Sequence, residues 1–370
     1  MDLGTQGLKG VLIDQDGRER WSAVYPYGTT ALPDGGREQD PAAWRAALEQ
    51  LLTDADAAGG RPEAIGCSGQ MHTLMVSDNQ GHPLYPAILW SDTRPAPLAA
   101  AVARQYEPEA LTPPPRQPAV GSVYLVQAAV AEGGPPDLWP RIRHVAVAKD
   151  WLRQQLTGRW QAEVSDAAGT YLLDVAGRRW ANDWLAEHGI AAAWLGSDPT
   201  ESAAFAGTVT IGPARWQGIP VVAGAGDQPA GAAGTGVWTP DRAMLAVGTS
   251  GVILHPRAAF TPAPHPTVHA FCHARPATWY VMGVNQAAAD SLRWLRATIA
   301  PGSRYPELDQ EAAAVPPGAE GLFFLPYLSG ERAPGGLPHA RGVFWGLSTA
   351  HSRAHRYWKG WPATCARQPN

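Results

Sequence analysis

A glycine-rich stretch at residues 221–236 constrains this chain more than any other feature. The apolar run at residues 219–223 predicts a short buried strand, and Gly224 and Gly226 after it permit a tight turn or the close approach of a ligand. Asp227 follows at the carboxyl end of the strand, which is where open α/β sheets bind their ligands. The residues alone favour a helix cap at Asp227, with a functional carboxylate as the alternative.

The size and composition of the chain indicate a globular protein of two domains. Its 370 residues exceed what one hydrophobic core ordinarily organises, and its 45% hydrophobic and 17% charged residues are typical of folded proteins. A formal net charge of −4 offers no basic face, so nucleic acid is not an expected partner. Neither an export leader nor an apolar run long enough for a bilayer is visible, so we expect no membrane partner and a cytoplasmic location.

The cysteines and histidines do not indicate a metal site. The three cysteines are widely separated and show no paired spacing, which argues against both a disulfide framework and a zinc site. His265, His269, Cys272 and His273 are crowded in sequence. In a strand, alternation places His269 and His273 on one face and Cys272 on the other, so we expect no metal there.

A short Gly-Thr-x-Gly pattern occurs twice, at residues 4–7 and at residues 248–251. Each copy precedes an apolar strand, and a single copy is typical of a simple hairpin turn. A glycine-rich turn also directs backbone N–H groups at a phosphate. Because one copy lies near the start of each half, the pattern predicts two related domains that present phosphate loops to one cleft. The boundary between the domains is expected near residues 238–241.

Apolar periodicity predicts the main helices and strands. Helices are expected at residues 41–58, 149–156, 181–188, 286–299 and 305–314. Strands are expected at residues 11–13, 64–68, 74–77, 87–90, 219–223, 244–254, 268–272 and 279–284.

Seven motifs along the chain resemble those of the FGGY carbohydrate kinases, in the same order. They are Asp2-Leu-Gly-Thr5, Gly69-Gln-Met-His72, Ile88-Leu-Trp-Ser-Asp-Thr-Arg94, Ser165-Asp-Ala-Ala-Gly-Thr170, the stretch 224–234, Gly248-Thr-Ser-Gly251 and Phe324-Leu-Pro-Tyr-Leu-Ser-Gly-Glu-Arg332. Within the family, Gln70-Met71-His72 is similar to the xylulokinases. The resemblance implies an α/β fold of two actin-like (ribonuclease H-like) domains around a cleft, with the sugar deep inside and ATP at its mouth.

The resemblance also implies a reaction, in which ATP and Mg²⁺ serve to phosphorylate D-xylulose. A sugar hydroxyl is a poor nucleophile, so a positioned base accelerates its attack on the γ-phosphate by about 10²–10⁴-fold. Asp227 corresponds to the family's base, and Asp2 to the acid that helps to place Mg²⁺ through water and the phosphates.

Further site residues are implied by the same resemblance. Met71 and His72 correspond to sugar contacts, with Trp90 and Asp92 as candidate neighbours, although the apolar run before Trp90 is more typical of a core residue. The role of Glu331 and Arg332 is left open between a surface pair and a cleft element. The residues expected at the phosphates of ATP are Gly4, Thr5, Gly248, Thr249, Ser250 and Gly251.

Three features depart from the family pattern. Only Met1 precedes Asp2 where the family has an apolar strand. We therefore expect either that the start of this chain was assigned a few codons too late or that the first strand of the sheet is missing. Residues 113–134 lack the usual helix pattern and its lysine. The resemblance ends near Ser352. If the codons after this point are read in another frame, the genetic code permits the sequence Leu-Glu-Gly-Val-Ala. We therefore hypothesise a frameshift near His355. We therefore predict a sugar domain at 1–238, an incomplete nucleotide domain at 239–352 and a tail without family resemblance at 353–370.

Three other functions are consistent with these residues. One is an FGGY kinase that acts on a different ketose or polyol. Another is a truncated protein that binds sugar without transferring phosphate, in which apolar surface is exposed and favours aggregation. The last is an actin-like ATPase without a small substrate. A homodimer is a candidate assembly.

Overall fold

The structure is a computed structural model, and it describes residues 1–95, 137–262, 267–328, 330, 331, 333, 337 and 339–360. The chain divides into two compact units. The first unit comprises Met1–Thr239, Pro256–Pro262 and Ala270–Tyr280, and the second comprises Pro240–His255, Ala263–His269 and Val281–Asn370. Three parts of the sequence analysis lie outside the described residues: the stretch 113–134, which departs from the family pattern, His265 and Arg332.

All five predicted helices are present, with ends that differ from the prediction by three residues at most. Helix 41–57 shows why the periodicity succeeded: Asp40 accepts the Ala42 N–H as its cap, and Trp44, Leu48 and Leu51 are buried along one face. The helices of the described residues, numbered α1 to α9, are Pro41–Ala57, Leu138–Arg141, Ala148–Thr157, Val164–Ala167, Asn182–Glu187, Asp227–Gly234, Ala289–Ile299, Tyr305–Ala313 and Arg353–Gly360.

The strands are short, and many of them pair with the next strand along the chain. In chain order, β1 to β20 are Asp2–Leu3, Gly7–Ile13, Glu19–Pro26, Thr30–Ala31, Arg37–Gln39, Ser68–Gly69, Leu74–Ser77, Ala87–Ile88, His144–Val147, Leu173–Asp174, Arg179–Trp180, Phe205–Thr208, Pro220–Val222, Ala225–Gly226, Met244–Val247, Gly251–Arg257, Val268–Cys272, Trp279–Asn285, Phe323–Leu325 and Val343–Trp345.

The first unit is built on two five-stranded sheets. One has the order β14-β6-β1-β2-β3, in which β1 and β14 both run parallel to β6 while β2 and β3 are antiparallel neighbours. The other has the order β4-β5-β8-β7-β9. The core beneath the first sheet includes Leu3, Leu8 and Trp44, and the ring of Trp44 meets that of Trp151 at 5.7 Å. Burial of these large side chains is the main stabilising contribution of this sheet.

Several strand predictions need correction. The expected strand 64–68 is reduced to β6 at its end and one isolated bridge between Ile65 and Val221. Within the run 219–223 only Pro220–Val222 forms a strand, β13, which pairs with β12, whereas β14 follows after Gly224 and joins the central sheet separately. The run 87–90 is a strand only at Ala87–Ile88.

The start of the chain takes part in the central sheet. Asp2–Leu3 forms β1 between β2 and β6, and the carbonyl of Met1 accepts the Ser68 N–H at 2.8 Å. The strand at this position has only two residues, Asp2 and Leu3.

The second half of the chain contains a four-stranded sheet of order β15-β16-β18-β17 and a hairpin of β19 and β20. Residues 353–360, where the sequence shows no apolar period, form helix α9. Tyr357 of α9 is buried with Leu308 and Ala312, and its hydroxyl donates to Asp309 at 2.9 Å. Trp358 and Ala354 of this helix also pack, partly buried, against neighbouring apolar residues, but so few apolar positions in a short helix are too weak a pattern for periodicity to detect.

Candidate active site

The central sheet of the first unit brings two acidic residues to one edge. Asp2 and Ala225 both pair with Ser68, from opposite sides. Neighbouring strands lie about 4.8 Å apart, so Asp2 and Ala225 are separated by about 10 Å. Asp227 follows Gly226 at the end of β14 and is the first residue of α6. Asp2 and Asp227 therefore lie at the same edge of the sheet.

The carboxyl group of Asp227 has an environment suited to accepting a proton. Burial, and next the negative charge of Asp2, raise its pKa to about 6. Its Oδ1 accepts the N–H of Gln228 at 2.8 Å. The cap position of α6 is Gly226, so the interpretation of Asp227 as only a helix cap is not supported. A base with a pKa near 6 is deprotonated at neutral pH and still basic enough to take a proton.

Asp2 is held by groups of its own sheet. The Ser68 hydroxyl donates to Asp2 Oδ1 at 2.7 Å. The Tyr27 hydroxyl donates to the Gly4 carbonyl at 2.6 Å, and burial followed by the charge of Asp2 raises the pKa of this tyrosine. Tyr27 therefore remains a neutral donor beside the carboxylate.

The turn after Asp2 is tightly bonded within the protein. The Gly4 N–H donates to the Gly7 carbonyl at 3.1 Å, which closes the predicted turn. The Thr5 hydroxyl donates to Gln70 Oε1 at 3.1 Å and accepts the indole N–H of Trp90 at 3.2 Å. The interpretation of Trp90 as a core residue is wrong, since 36% of it is exposed.

Asp92 has a structural role in place of the expected position beside the sugar. Its side chain is buried, and Oδ2 accepts from Arg94 at 2.6 Å and from the Arg37 N–H at 2.8 Å. Arg94 also bonds to Glu38 at 2.8 Å. Because buried charges are retained where they are paired in this way, we remove Asp92 from the candidate sugar contacts.

Met71 lies directly against the backbone that carries Asp227. A Cβ atom at Gly226 would stand 2.7 Å from Met71 Cγ, so only glycine fits there without movement. On its other side Met71 is backed by Tyr280, whose buried hydroxyl contacts the thioether sulfur at 3.8 Å. The structure thus brings one expected sugar contact next to the expected base.

His72 is held in a strained conformation by two neighbours. Its φ of 63° is in the left-handed region, which non-glycine residues adopt at a cost and often at functional sites. Its Nδ1 bonds to the Gly169 carbonyl at 2.9 Å, and because a carbonyl only accepts, Nδ1 carries the hydrogen. Its ring lies 5.4 Å from that of Phe271.

The second Gly-Thr-x-Gly copy is the turn of the β15–β16 hairpin in the second unit. The Gly248 carbonyl accepts the Ala289 N–H at 2.9 Å, and the Thr249 carbonyl accepts the Ala288 N–H at 2.9 Å. The turn is therefore tied to the start of α7. The first copy is likewise a hairpin turn, between β1 and β2, although its paired residues Leu3 and Leu8 enclose four residues where Val247 and Gly251 enclose three.

Glu331 is buried, so its interpretation as part of a surface pair is wrong. Its Oε1 accepts the Gln286 N–H at 2.9 Å, and Oε2 accepts the side-chain amide of Asn285. These two residues connect β18 with the start of α7. Glu331 thereby fixes the segment that the Gly248–Gly251 turn contacts.

The crowded histidine and cysteine run makes ordinary hydrogen bonds. His273 uses both ring nitrogens, one with the Val237 carbonyl at 3.1 Å and the other with the Arg275 N–H at 3.1 Å. The Cys272 thiol contacts the Val175 carbonyl, and burial raises its pKa to about 12. A thiol with so high a pKa is a poor metal ligand.

Sequence reasoning missed the residues behind the site. Tyr280 and Phe271 back the two expected sugar contacts, and no local pattern marks them. Ser165 and Gly169 lie in one of the recognised motifs, and that motif was the available signal. Gly169 is required because a Cβ atom there would stand 2.2 Å from the His72 ring.

Comparison with known families gives two matches that together account for most of the chain. The N-terminal domain of the FGGY family of carbohydrate kinases matches residues 1–234, and its C-terminal domain matches residues 243–367. Among the described residues, no helix combines the length and apolarity needed to cross a membrane.

Curated relatives include the xylulose kinases of Escherichia coli and Lactococcus lactis. The first is 36% identical over 95% of this chain and 73% of its own length. The second is 34% identical over 96% of this chain and 72% of its own length.

Solved structures confirm the predicted two-domain α/β fold. A xyloylose kinase from Brucella ovis matches with a TM-score of 0.85 and 34% identity, over 97% of this chain and 74% of its own. The xylulose kinase of Rhodospirillum rubrum matches with a TM-score of 0.87 and 26% identity, over the same shares. A gluconate kinase from Lactobacillus acidophilus, at 23% identity and a TM-score of 0.87, shares the fold. The chain therefore belongs to the FGGY family of carbohydrate kinases.

Proposed function

We propose that this sugar kinase transfers the γ-phosphoryl group of ATP to D-xylulose and forms xylulose 5-phosphate and ADP. Two facts support the choice of sugar. The similar curated relatives are xylulose kinases, and Met71 and His72, which resemble the sugar contacts of those enzymes, lie in the same unit as Asp227.

Asp227 is proposed as the general base. The sugar hydroxyl oxygen attacks the γ-phosphorus, the bond from that phosphorus to the oxygen of ADP breaks, and the hydroxyl proton passes to the Asp227 carboxylate. The observation that carries this role is the position of Asp227 at the end of β14 with a pKa of about 6. Positioning and proton removal of this kind are the protein's main contributions to phosphoryl transfer.

Asp2 fits a divalent cation. Its carboxylate offers hard oxygen atoms, which Mg²⁺ prefers, and its negative charge raises the pKa of the nearby Asp227. Bound Mg²⁺ would neutralise charge on the transferring phosphate. Asp2 is proposed to hold it through water.

The two hairpin turns are proposed to contact ATP. These are Gly4 and Thr5 in the first unit and Gly248–Gly251 in the second. With them we propose the division into a sugar domain at 1–238 and a nucleotide domain from 239. The cytoplasmic location and the homodimer stay predictions.

The test compares Asp227→Asn with Asp183→Asn, which changes an exposed aspartate of α5. Release of ADP is measured in the presence of D-xylulose. We expect Asp227→Asn to lower kcat by about 10²-fold or more, and the control to change it by less than about twofold. For the unaltered protein, kcat/KM should rise with pH through about 6, because only the deprotonated base accepts a proton. Equal activity of both variants would contradict the role of Asp227.

A different sugar is the main alternative, because the fold is shared with a gluconate kinase. A panel of D-xylulose, D-ribulose, D-gluconate and glycerol in the same assay identifies the substrate by the highest kcat/KM. Binding of D-xylulose in calorimetry without ADP release would instead support a sugar-binding protein without transferase activity.

A further inference from the structure

The loop that leads into Asp227 is bonded at every step of its backbone. This loop, residues 223–226, follows β13 and includes β14. Its bonds come from four different segments of the first unit, so its course is strongly determined. They are the Ala223 carbonyl to Arg153 at 2.7 Å, the Gly224 N–H to the Ser202 carbonyl at 2.9 Å, the Ala225 N–H to the Cys67 carbonyl at 3.1 Å and the Gly226 N–H to the Ser165 hydroxyl at 3.2 Å.

The bond at Gly226 differs from the other N–H bonds of the loop, because its acceptor is a side chain. Ser165 is fully buried, and its hydroxyl accepts from the residue immediately before Asp227. The single hydrogen of that hydroxyl is donated to Glu163 Oε2 at 2.9 Å. A lone pair of the oxygen is thereby directed at the Gly226 N–H.

Glu163 fixes the direction of the serine hydroxyl. Its carboxylate is fully buried and accepts the Ser165 N–H at 2.8 Å and the Ser202 hydroxyl at 2.5 Å. Lys149 Nζ lies 3.2 Å from Glu163 Oε2. Burial acts to lower the pKa of Lys149, but the carboxylates of Asp150 and Glu163 raise it, so the lysine remains charged. A charged, paired Glu163 is an acceptor only, so the hydroxyl must donate to it.

We infer that Ser165 is a positioning residue for the phosphoryl transfer. Oriented by Glu163, its hydroxyl holds the Gly226 N–H and so determines where the Asp227 carboxylate stands relative to the sugar hydroxyl. The inference rests on the proposed role of Asp227 as the base. Ser165 itself does not touch the substrate.

The size of the effect follows from geometry. In Ser165→Ala the buried Gly226 N–H loses its hydrogen-bond acceptor. An unpaired buried N–H is costly, so the loop is expected to shift until this group finds another acceptor. A displacement of about 1 Å at a reacting group costs up to about 10²-fold in rate. The KM for ATP depends on other residues, so we expect it to stay the same in this variant.

Ser202→Ala is the matched comparison. It also removes a buried hydroxyl that donates to Glu163, and it leaves the Ser202 carbonyl in place. Both variants and the unaltered protein are compared by Tm and by the kcat and KM for D-xylulose and ATP. We expect similar losses of Tm, a fall in kcat of about 10- to 100-fold for Ser165→Ala and of less than about threefold for Ser202→Ala, with the KM for ATP unchanged.

Two results would overturn the inference. One is an unchanged kcat in Ser165→Ala. The other is an equal fall of kcat in both variants at equal loss of Tm, which indicates general loosening. Asp227→Asn in the same series separates the two proposals. If it abolishes turnover while Ser165→Ala does not, only the positioning role is lost, and if it retains turnover, the base is another group.

Discussion

Asp227, the proposed base, imposes a cost in stability. Its pKa is about 6 in the folded protein and 3.8 as the ordinary value. A carboxyl whose folded pKa is raised stabilises the fold while it is protonated, below about pH 4, and loses that contribution as pH rises through about 6. At neutral pH the protein therefore carries a charge that it would be more stable without, which is a common property of functional sites.

Asp227→Asn should therefore stabilise the protein at high pH. We expect a gain of about 1–3 kcal/mol in the free energy of unfolding at pH 7.5, which shrinks to near zero at pH 3.5. Thermal unfolding at the two pH values, without nucleotide or metal, measures it. A gain of equal size at both pH values would show that charge burial is not the cause.

Gly224 tolerates no side chain. Its φ is 78°, and a Cβ atom would stand 1.8 Å from the Cys67 carbonyl oxygen. We expect Gly224→Ala to lower the free energy of unfolding by more than about 3 kcal/mol. Gly59, with φ of 83° and open space around it, is the control, and Gly59→Ala should cost only about 1 kcal/mol. Urea unfolding of both variants decides, and similar costs would contradict the steric explanation.

At the scale of elements, Glu331 joins β18, α7 and the Gly248–Gly251 turn. Helix α7 begins at Ala289, three residues later than predicted from Gln286, because the intervening N–H groups bond to Glu331 and to the carbonyls of the turn. A buried carboxylate that accepts a backbone N–H orders such a junction at little entropic cost.

Glu331→Gln should therefore weaken the binding of ATP more than the binding of the sugar. The neutral amide weakens two charge-assisted bonds, so we expect the KM for ATP to rise about three- to tenfold and the KM for D-xylulose to stay within about twofold. Glu307→Gln, which changes an exposed residue of α8, is the control. If both KM values rise, or if neither rises, Glu331 does not act through the Gly248–Gly251 turn.

Sequence reasoning succeeded where an element is long and one-sided, and failed where it is short. Helix α1 carries its own periodic pattern, whereas β1, β6 and β14 have two residues each, too few for any alternation. These short strands nevertheless bring Asp2 and Asp227 together. The bond between Ser165 and Gly226 spans 61 residues of sequence, so only the folded chain reveals it.

At the scale of the whole molecule, the second unit exposes apolar side chains. Phe323 and Trp345 face each other across the β19–β20 hairpin, with exposed fractions of 58% and 71%. Leu245, Val247 and Ile253 are exposed on the β15–β16 hairpin. Exposed apolar side chains of this kind promote association.

Replacing the exposed hairpin pair should improve solution behaviour. We expect Phe323→Thr with Trp345→Thr to lower binding of the dye ANS and light scattering on warming, at a loss of less than about 1 kcal/mol in the free energy of unfolding. The matched control is Phe324→Thr, which changes a buried neighbour and should cost about 3 kcal/mol or more. Unchanged ANS binding in the double variant would show that the pair is not the association surface.

The first unit also has a consequence for how the protein is made. It includes Ala270–Tyr280, and this segment supplies the rings of Phe271 and Tyr280 that back His72 and Met71. Residues 1–239 leave the ribosome before that segment does. Met71 and His72 of the nascent chain must therefore lack these two rings until Tyr280 has emerged, and a gene fragment that ends at residue 239 encodes a first unit without this packing.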